Sequence, residues 1–220
     1  IREVLKKYNA PEDLVITIEP EYVAVDCSAQ LMKQVDFVVA TGGTPMVRAA
    51  YSSGTPTIGV GTGNVTTYVD ESADLKDVAS KIRQSKMFDN ASSCSSENSA
   101  VVNEKVYDAF IEACKAEGAF FIKEGTPEHA ALQKTIWPAW PENHVLSRQI
   151  PGRTADTILE MAGIDAPKGV TFVLVEENGG IGHDHPFTGE KLSPVTTLIK
   201  TPDFETALDK MSAILEYQGN

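Results

Sequence analysis

One cysteine lies in a setting where a thiol could act as a nucleophile. Small side chains around Cys94 would let a carbonyl substrate approach, and the N–H groups of a turn can stabilise an oxyanion. A buried structural cysteine normally has apolar neighbours, because a free thiol behaves as a small hydrophobic group. The residues alone leave two interpretations open: a catalytic thiol, or a serine-rich loop in which Cys94 is incidental. The polar neighbours of this cysteine are Asn90, Ser92, Ser93, Ser95 and Ser96.

The other two cysteines lack such a setting. Cys27 lies near the start of a predicted helix, and Cys114 lies within an amphipathic helical pattern in which packing is its simplest role. The three cysteines are far apart and odd in number, with no CxxC pair and no Cys/His cluster at the spacing of metal ligands. We therefore expect free thiols in a reducing, cytoplasmic compartment and no metal site.

Two glycine-rich segments could approach a ligand closely. Thr41, Gly42 and Gly43 follow a predicted strand and precede a predicted helix, which is where open α/β sheets bind ligands. Gly59 and Gly61 belong to the second segment. Neither segment has the spacing of a dinucleotide fingerprint or a P-loop. Taken alone, they are more simply a tight turn and a strand with bulges.

Composition limits the classes of protein that this sequence can belong to. The 220 residues are 42% hydrophobic and 23% charged, which is ordinary for a globular protein of one large or two small domains. The net charge of -12 is the opposite of that expected for a general nucleic-acid binder. The apolar runs are too short to cross a membrane. We expect neither nucleic acid nor membrane as a partner. Because the sequence opens directly on a helical pattern without a methionine, we also expect a piece of a longer chain.

The elements that must position these residues alternate between strand and helix, which predicts βαβ units and a parallel sheet. The loop 176–193, rich in glycine, histidine and acidic residues, is long enough to suggest a function. Residues 137–141 are expected to form a rigid surface loop. The predicted strands are 14–18, 36–40, 56–60, 65–69, 101–102, 119–122, 170–175 and 194–200. The predicted helices are 1–8, 28–33, 45–53, 75 through to 94 with Phe88 inward, 105–116, 127–136, 153–162 and 204–215.

Several segments, taken in order, resemble one family. Through them the chain is similar to the CoA-acylating branch of the aldehyde dehydrogenase superfamily, which includes the aldehyde dehydrogenase half of bifunctional aldehyde–alcohol dehydrogenases and relatives that act on acetaldehyde, propionaldehyde or sulfoacetaldehyde. The matching segments are Ala40–Gly43, Met46–Gly54, Ile58–Asn64, Ser85–Asn90 with Cys94, and Glu190–Pro194.

This resemblance implies an α/β fold made from parts of two Rossmann-like, three-layer α/β/α domains. Residues 1–59 would be the C-terminal part of the NAD-binding domain, and residues 60–220 a catalytic domain that is incomplete at its C-terminal end. The family also carries an upstream asparagine amide for the oxyanion hole and downstream oligomer contacts. We therefore expect these 220 residues alone to be inactive, and the complete protein to be a homo-oligomer.

The resemblance also implies a reaction and a role for each site residue. A small aldehyde would be oxidised by NAD to its acyl-CoA, and the reverse, through a thioester on Cys94, with coenzyme A as co-substrate. The backbone N–H of Cys94 would help to hold the oxyanion, and Leu192 would lie beside the nicotinamide. Glu190 would bind the nicotinamide ribose, although without the resemblance it is simply an exposed carboxylate in a polar loop. The residues implied to line the cofactor are Thr41, Gly42, Gly43, Gly59 and Gly61.

The segment around Gly59 bears on the acyl acceptor. Hydrolytic members of the superfamily place a water-activating glutamate where this chain has Gly59, and no residue from Ala49 to Val69 is charged. The only carboxylates near Cys94 in sequence are Asp89 and Glu97. Because a thiolate needs no dedicated base, we expect CoA rather than water to displace the thioester.

Two other functions stay open at this point. One is an acyl-phosphate reductase of the same superfamily, which also uses a cysteine, and the other is a non-catalytic module whose role is assembly. The sequence does not identify the aldehyde. A sulfonated aldehyde would need a cation near Cys94, for which His183, His185 and Arg153 are candidates.

Overall fold

A computed structural model describes residues 1–219 and divides them into two compact units. The first unit is Ile1–Gly61, and the second begins at Thr62. Both contain parallel sheets, which confirms the predicted α/β class. The division falls two residues after the predicted domain boundary. The assignment of NAD binding to one unit and of catalysis to the other stays a prediction.

The first unit contains a two-stranded parallel sheet joined by a helix. Strand β1 (Val38–Thr41) pairs with β2 (Thr57–Val60), and helix α3 (Thr44–Tyr51) connects them. Proline is the second residue of α3, where its missing N–H leaves no helical bond unmade. Two further helices precede the sheet, α1 (Arg2–Lys7) and α2 (Val25–Gln34).

The strand predicted at residues 14–18 is wrong. This segment is irregular, and the side chains of Leu14, Val15 and Ile16 are half or more exposed. A strand needs a neighbouring strand to satisfy its backbone N–H and C=O groups. No other segment within residues 1–219 pairs with this one, so its β-rich composition does not produce a strand.

The second unit is built on a five-stranded sheet in which every neighbouring pair is parallel. The strands lie in the order β3-β4-β7-β6-β5. The three central strands are buried along almost their whole length, which fits a sheet that is covered on both faces. The strands are β3 (Thr66–Val69), β4 (Ser99–Asn103), β5 (Ala119–Ile122), β6 (Phe172–Glu176) and β7 (Val195–Thr201).

Helices cover both faces of this sheet and complete a three-layer arrangement. Val102 and Phe172 point to a core shared with α4 and α5, whereas Val101 and Val173 point to the opposite face and pack near α6, α7 and α8. The helices are α4 (Leu75–Met87), α5 (Tyr107–Ala116), α6 (Pro127–Ile136), α7 (Ala155–Met161) and α8 (Phe204–Tyr217).

Two predictions made for the approach to Cys94 are wrong. Helix α4 ends at Met87 instead of reaching Cys94, because Asp89, Asn90 and Ala91 all have positive φ angles, of 48°, 50° and 52°. Left-handed backbone cannot continue a right-handed helix. Phe88, expected inside, is 68% exposed, because the chain leaves the helical path at that point.

Trp137 also differs from the prediction of a surface loop. Its side chain is only 3% exposed and meets Phe187 edge-on, with ring centroids 5.3 Å apart. Phe187 belongs to a short 3₁₀ turn (Pro186–Thr188), the only helical turn in the connection from β6 to β7. That connection therefore crosses the sheet as a loop, packed in part by aromatic rings. Among residues 1–219, no helix has both the length and the apolar character needed to span a bilayer.

Candidate active site

The Cys94 thiol is exposed on a short turn that precedes β4. The turn is closed by the N–H of Ser96, which donates to the carbonyl of Ser93 at 3.2 Å, and by the hydroxyls of Ser93 and Ser95, which lie 2.8 Å apart. Within residues 1–219 the backbone N–H of Cys94 donates to no protein acceptor. An accessible thiol and a free N–H at the same residue can serve as nucleophile and as oxyanion donor.

The other cysteines are in different environments. Cys114 is fully buried in the core between the sheet and α5, and burial raises the pKa of its thiol to about 12. This confirms its predicted packing role. Cys27 is partly exposed on α2 in the first unit.

Gly63 is close to both Cys94 and Glu190. A Cβ atom added at Gly63 would lie 2.9 Å from the Cys94 Cβ and 3.0 Å from its carbonyl oxygen, so no larger residue fits. The Gly63 backbone also lies close enough to the Glu190 carboxylate to lower the pKa of that group. The structure therefore brings two of the predicted site residues together around a glycine that sequence reasoning did not single out.

Glu190 is half-buried rather than a freely solvated loop residue. Burial raises the pKa of its carboxyl group, and the nearby Gly63 backbone partly opposes that rise. Its backbone N–H donates to Oε1 of Gln218 at 3.0 Å. The backbone of Glu190 is thus held in place, as the backbone of a residue that binds a ligand hydroxyl would need to be.

Leu192 is connected to the Cys94 loop through Gly152. The N–H of Gly152 donates to the Leu192 carbonyl at 3.1 Å, and the Gly152 carbonyl accepts from Nδ2 of Asn90 at 2.9 Å. Leu192 has a φ of 45°, and Asn90 is also left-handed. A positive φ angle at a non-glycine residue costs free energy, and it persists where surrounding contacts hold the backbone in place. The two strained positions are held by the same glycine.

Two buried lysines underlie this site, and sequence reasoning missed both. Lys191 is fully buried, and its ammonium donates to the carbonyls of Phe187 at 2.7 Å and Gly189 at 2.9 Å. Its backbone N–H donates to Oδ1 of Asn98 at 3.0 Å. Lysine is rarely buried, so the ordinary expectation was exposure.

Lys86, near the end of α4, is 1% exposed. Burial lowers the pKa of its ammonium group to about 7, and the charge of Glu97 acts in the opposite direction. A signal for this burial was available, because Ala79, Ile82 and Lys86 recur at helical spacing and share the inward face of α4.

Cys94 and Glu190 precede two neighbouring strands. Cys94 leads into β4 and Glu190 into β7, and these strands pair in parallel with Ser99 opposite Thr197. Since parallel strands start at the same edge of a sheet, both residues lie at the amino edge. The oxygen of the Asn64 amide is buried without a hydrogen-bond partner at this edge, while its nitrogen donates to the Thr188 carbonyl.

In the first unit, the turn Thr41–Gly43 links the end of β1 to the start of α3, as predicted. The N–H of Gly42 donates to the Val60 carbonyl at 3.1 Å. A Cβ on Gly42 would lie 2.7 Å from Cε of Met46, the far end of a flexible side chain. Gly61 directly follows β2.

Gly59, on β2, has a clear packing requirement. A Cβ there would lie 2.7 Å from a ring carbon of Tyr51 and 2.8 Å from a methyl group of Val47. Both contacts come from α3, which packs against this strand. The position has no room for a side chain, and therefore none for a water-activating carboxylate.

The candidate cations for a sulfonate differ in their surroundings. Arg153 follows Gly152, which is bonded to the Cys94 loop through Asn90, and its Nε donates to the Gln149 carbonyl at 3.3 Å. His185 instead donates from Nδ1 to Oε1 of Glu177 at 2.8 Å. The His183 ring packs against those of His144 and Tyr217. Of the three candidates, only Arg153 is adjacent to a residue bonded to the Cys94 loop.

Known proteins are similar to this chain in sequence and in fold. The protein-family model for the aldehyde dehydrogenase family matches residues 1–133. The acylating sulfoacetaldehyde dehydrogenase of Cupriavidus necator is 43% identical over 211 residues, which cover 95% of this chain and 41% of that protein. The bifunctional aldehyde-alcohol dehydrogenase of Escherichia coli is 37% identical, over 96% of this chain and 23% of that protein.

Solved structures give the same picture. The acetylating aldehyde dehydrogenase from Geobacillus thermoglucosidasius matches with a TM-score of 0.90 and 34% identity, over 99% of this chain and 47% of that one. A propionaldehyde dehydrogenase from Rhodopseudomonas palustris, solved with bound CoA and an acylated cysteine, matches with a TM-score of 0.82 and 27% identity, over 97% and 47% of the two chains. The present chain thus spans less than half of the length of each of these proteins.

Proposed function

The chain belongs to the aldehyde dehydrogenase family, and we propose that the complete protein containing it oxidises a small aldehyde to its acyl-CoA with NAD as electron acceptor. The observation that carries this proposal is the closeness of Gly63 to both Cys94 and Glu190, which brings an exposed cysteine and a half-buried carboxylate to the same glycine. The similarity to acylating enzymes supports it further.

In the proposed reaction, the Cys94 thiolate adds to the aldehyde carbon and the carbonyl oxygen becomes an oxyanion. The free N–H of Cys94 is available to hold that oxyanion. Loss of hydride from the same carbon leaves an acyl thioester on Cys94. The thiolate of CoA then attacks the acyl carbon and the Cys94 thiolate leaves, so the acyl group ends on CoA and the enzyme returns to its starting form.

The described residues fit a nicotinamide cofactor at two places. The Gly42–Gly43 turn lies at the carboxyl end of a parallel strand and before a helix, where dinucleotides bind in open sheets. Glu190 is half-buried and its backbone N–H is held by Gln218, so its carboxylate would suit two ribose hydroxyls. When bound, NAD supplies the hydride acceptor; Glu190 would hold its ribose and Leu192 would border its ring.

The test is an assay of the complete protein with aldehyde and NAD, supplied with CoA, with phosphate, or with neither. We expect sustained NADH formation only with CoA. Sustained formation with phosphate and release of an acyl phosphate would instead support an acyl-phosphate reductase. Absence of NADH under every condition, together with assembly into large particles, would support the non-catalytic module.

A sulfonated aldehyde is the substrate that we favour. The acylating sulfoacetaldehyde dehydrogenase is more similar to this chain than the aldehyde-alcohol dehydrogenase is, at 43% against 37% identity. Arg153, on the turn bonded to the Cys94 loop, is a cation suited to a sulfonate. Comparing kcat/KM for sulfoacetaldehyde, acetaldehyde and propionaldehyde tests this choice, and a preference for either uncharged aldehyde would contradict it.

A further inference from the structure

The surroundings of Lys191 are unusual for a buried lysine. No carboxylate within residues 1–219 forms an ion pair with it, and its ammonium is bonded only to two backbone carbonyls. Burial and the charge of Lys86 lower the pKa of Lys191 well below its ordinary value, and the more distant charges of Glu190 and Glu177 only partly oppose this. A buried cationic group without an ionic partner is costly, and an apolar side chain of similar length would avoid that cost. Stability alone therefore gives no reason for lysine at this position.

The hydrogen bonds of the Lys191 ammonium hold the part of the loop that precedes Glu190. The carbonyls of Phe187 and Gly189 precede Glu190 in the loop, and both accept from the same ammonium, which fixes the backbone on one side of it. The Phe187 carbonyl also accepts from Oγ1 of Thr197, so this part of the loop is anchored to β7.

A second attachment connects Lys191 to the cysteine segment. Its backbone N–H donates to Oδ1 of Asn98, a buried residue between Cys94 and β4. Lys191 therefore joins the Glu190 loop to the segment that carries Cys94 and gathers the loop into a fixed shape. In this shape, Gly63 is close to both Cys94 and Glu190.

We propose that Lys191 is a positioning residue: it holds the Glu190 carboxylate beside Cys94 and thereby sets the affinity of the enzyme for NAD. This inference rests on the proposed function, in which Glu190 binds the nicotinamide ribose. Lys191 itself touches neither cofactor nor substrate and acts through the loop that it closes.

The experiment compares Lys191→Met, Glu190→Gln and the double variant in the complete protein. Methionine keeps an unbranched side chain, one atom shorter than that of lysine, and removes the ammonium group with its donors. Lys210→Met is the matched control, because its ammonium also binds a backbone carbonyl, that of Lys200, but near the other end of β7. The measurements are KM for NAD, kcat, the melting temperature, and the rate at which iodoacetamide labels Cys94 with and without NAD.

For Lys191→Met we expect KM for NAD to rise about tenfold. This is the effect expected when one charge-assisted hydrogen bond, here that between Glu190 and the ribose of NAD, is lost. Labelling without NAD should be unchanged, protection by NAD should weaken, and the melting temperature should stay the same or rise. Lys210→Met should leave KM unchanged. The double variant should be no worse than Glu190→Gln, because residues that act through one another do not add.

An unchanged KM for NAD in Lys191→Met, or additive effects in the double variant, would overturn the inference. So would a normal KM for NAD in Glu190→Gln. If Lys191→Met does not fold, Asn98→Ala removes the other attachment of Lys191; a raised KM for NAD supports the inference and an unchanged one overturns it. A wild-type protein without CoA-dependent NADH formation would instead refute the proposed function, so the two failures are distinguishable.

Discussion

The hydroxyl group of Tyr51 accepts a hydrogen bond of 3.1 Å from the backbone N–H of Gly59, and the ring lies where a Cβ of residue 59 would be. Helix α3 and strand β2 therefore pack closely at this glycine. Gly59→Ala should destabilise the first unit by about 1–3 kcal/mol, the usual cost of overpacking. Thermal unfolding measures this loss. Gly43→Ala is the control, since its nearest contact would be an ordinary 3.8 Å, and an equal loss there would contradict the argument.

The absence of a side chain at Gly59 also predicts how the thioester is consumed. With aldehyde and NAD alone, the complete protein should form about one NADH per active site and then stop, because this chain has Gly59 where hydrolytic members of the superfamily carry their water-activating glutamate. Addition of CoA should restore turnover. A stopped-flow burst measurement gives the stoichiometry. Continued NADH formation with release of free acid, in the absence of CoA, would show that another group activates water.

Cys94 and Cys114 should respond oppositely to substitution. Cys94→Ala should abolish formation of the acyl-enzyme while leaving the melting temperature nearly unchanged, because its side chain is exposed. Cys114→Ala should keep activity and lower stability by roughly 1–2 kcal/mol, because its thiol is fully buried among apolar side chains. Mass spectrometry of the trapped thioester and thermal unfolding provide the two readouts. Substantial activity in Cys94→Ala would end the assignment of the nucleophile.

Lys86 should make stability depend on pH. The pKa of its ammonium is about 7 in the folded protein against 10.5 for an ordinary lysine, so folding releases a proton between these values. Stability is then lowest below pH 7 and rises as the pH increases from 7 to 10.5. Lys86→Met should raise the melting temperature at pH 7, and its advantage should shrink towards pH 10. Lys81→Met, on the exposed side of the same helix, is the control and should show no such trend.

We expect Arg153 to favour a sulfonated aldehyde over an uncharged one. Arg153→Gln should lower kcat/KM for sulfoacetaldehyde by roughly tenfold or more, the effect of losing a charge-assisted bond, and should leave acetaldehyde nearly unaffected. Arg148→Gln is the matched control, since Arg148 lies in the same irregular segment without a described bond to the Gly152 turn. Equal losses for both aldehydes would show that Arg153 supports the turn instead of recognising the anion.

The sequence predicted the alternation of strands and helices because parallel strands and amphipathic helices leave clear apolar patterns. It failed at residues 14–18, whose composition suits a strand but which pair with no other strand within residues 1–219. It failed also at Phe88, because the left-handed residues that follow end the helix. The exposed turn at Cys94 was predictable from its small polar neighbours.

The inner parts of the site were not predictable in the same way. Gly63 is required by a contact with Cys94 that only the folded chain creates. The buried ammonium of Lys191 is bonded to two backbone carbonyls of a loop, and that loop has no periodic sequence pattern from which the burial could be predicted. Lys86 alone carried a periodic signal, which the usual preference of lysine for solvent concealed.

The pairing of Ser99 with Thr197 has a consequence for how this protein can change during evolution. Four residues separate Cys94 from β4, and four separate Glu190 from β7. One residue inserted into either of these links would shift Cys94 relative to Glu190 by about 3.3 Å. Side chains around the thiol can therefore be exchanged to suit new aldehydes, whereas the lengths of both links cannot vary. Insertions should accumulate instead at exposed turns such as that around Glu142, which carry neither group.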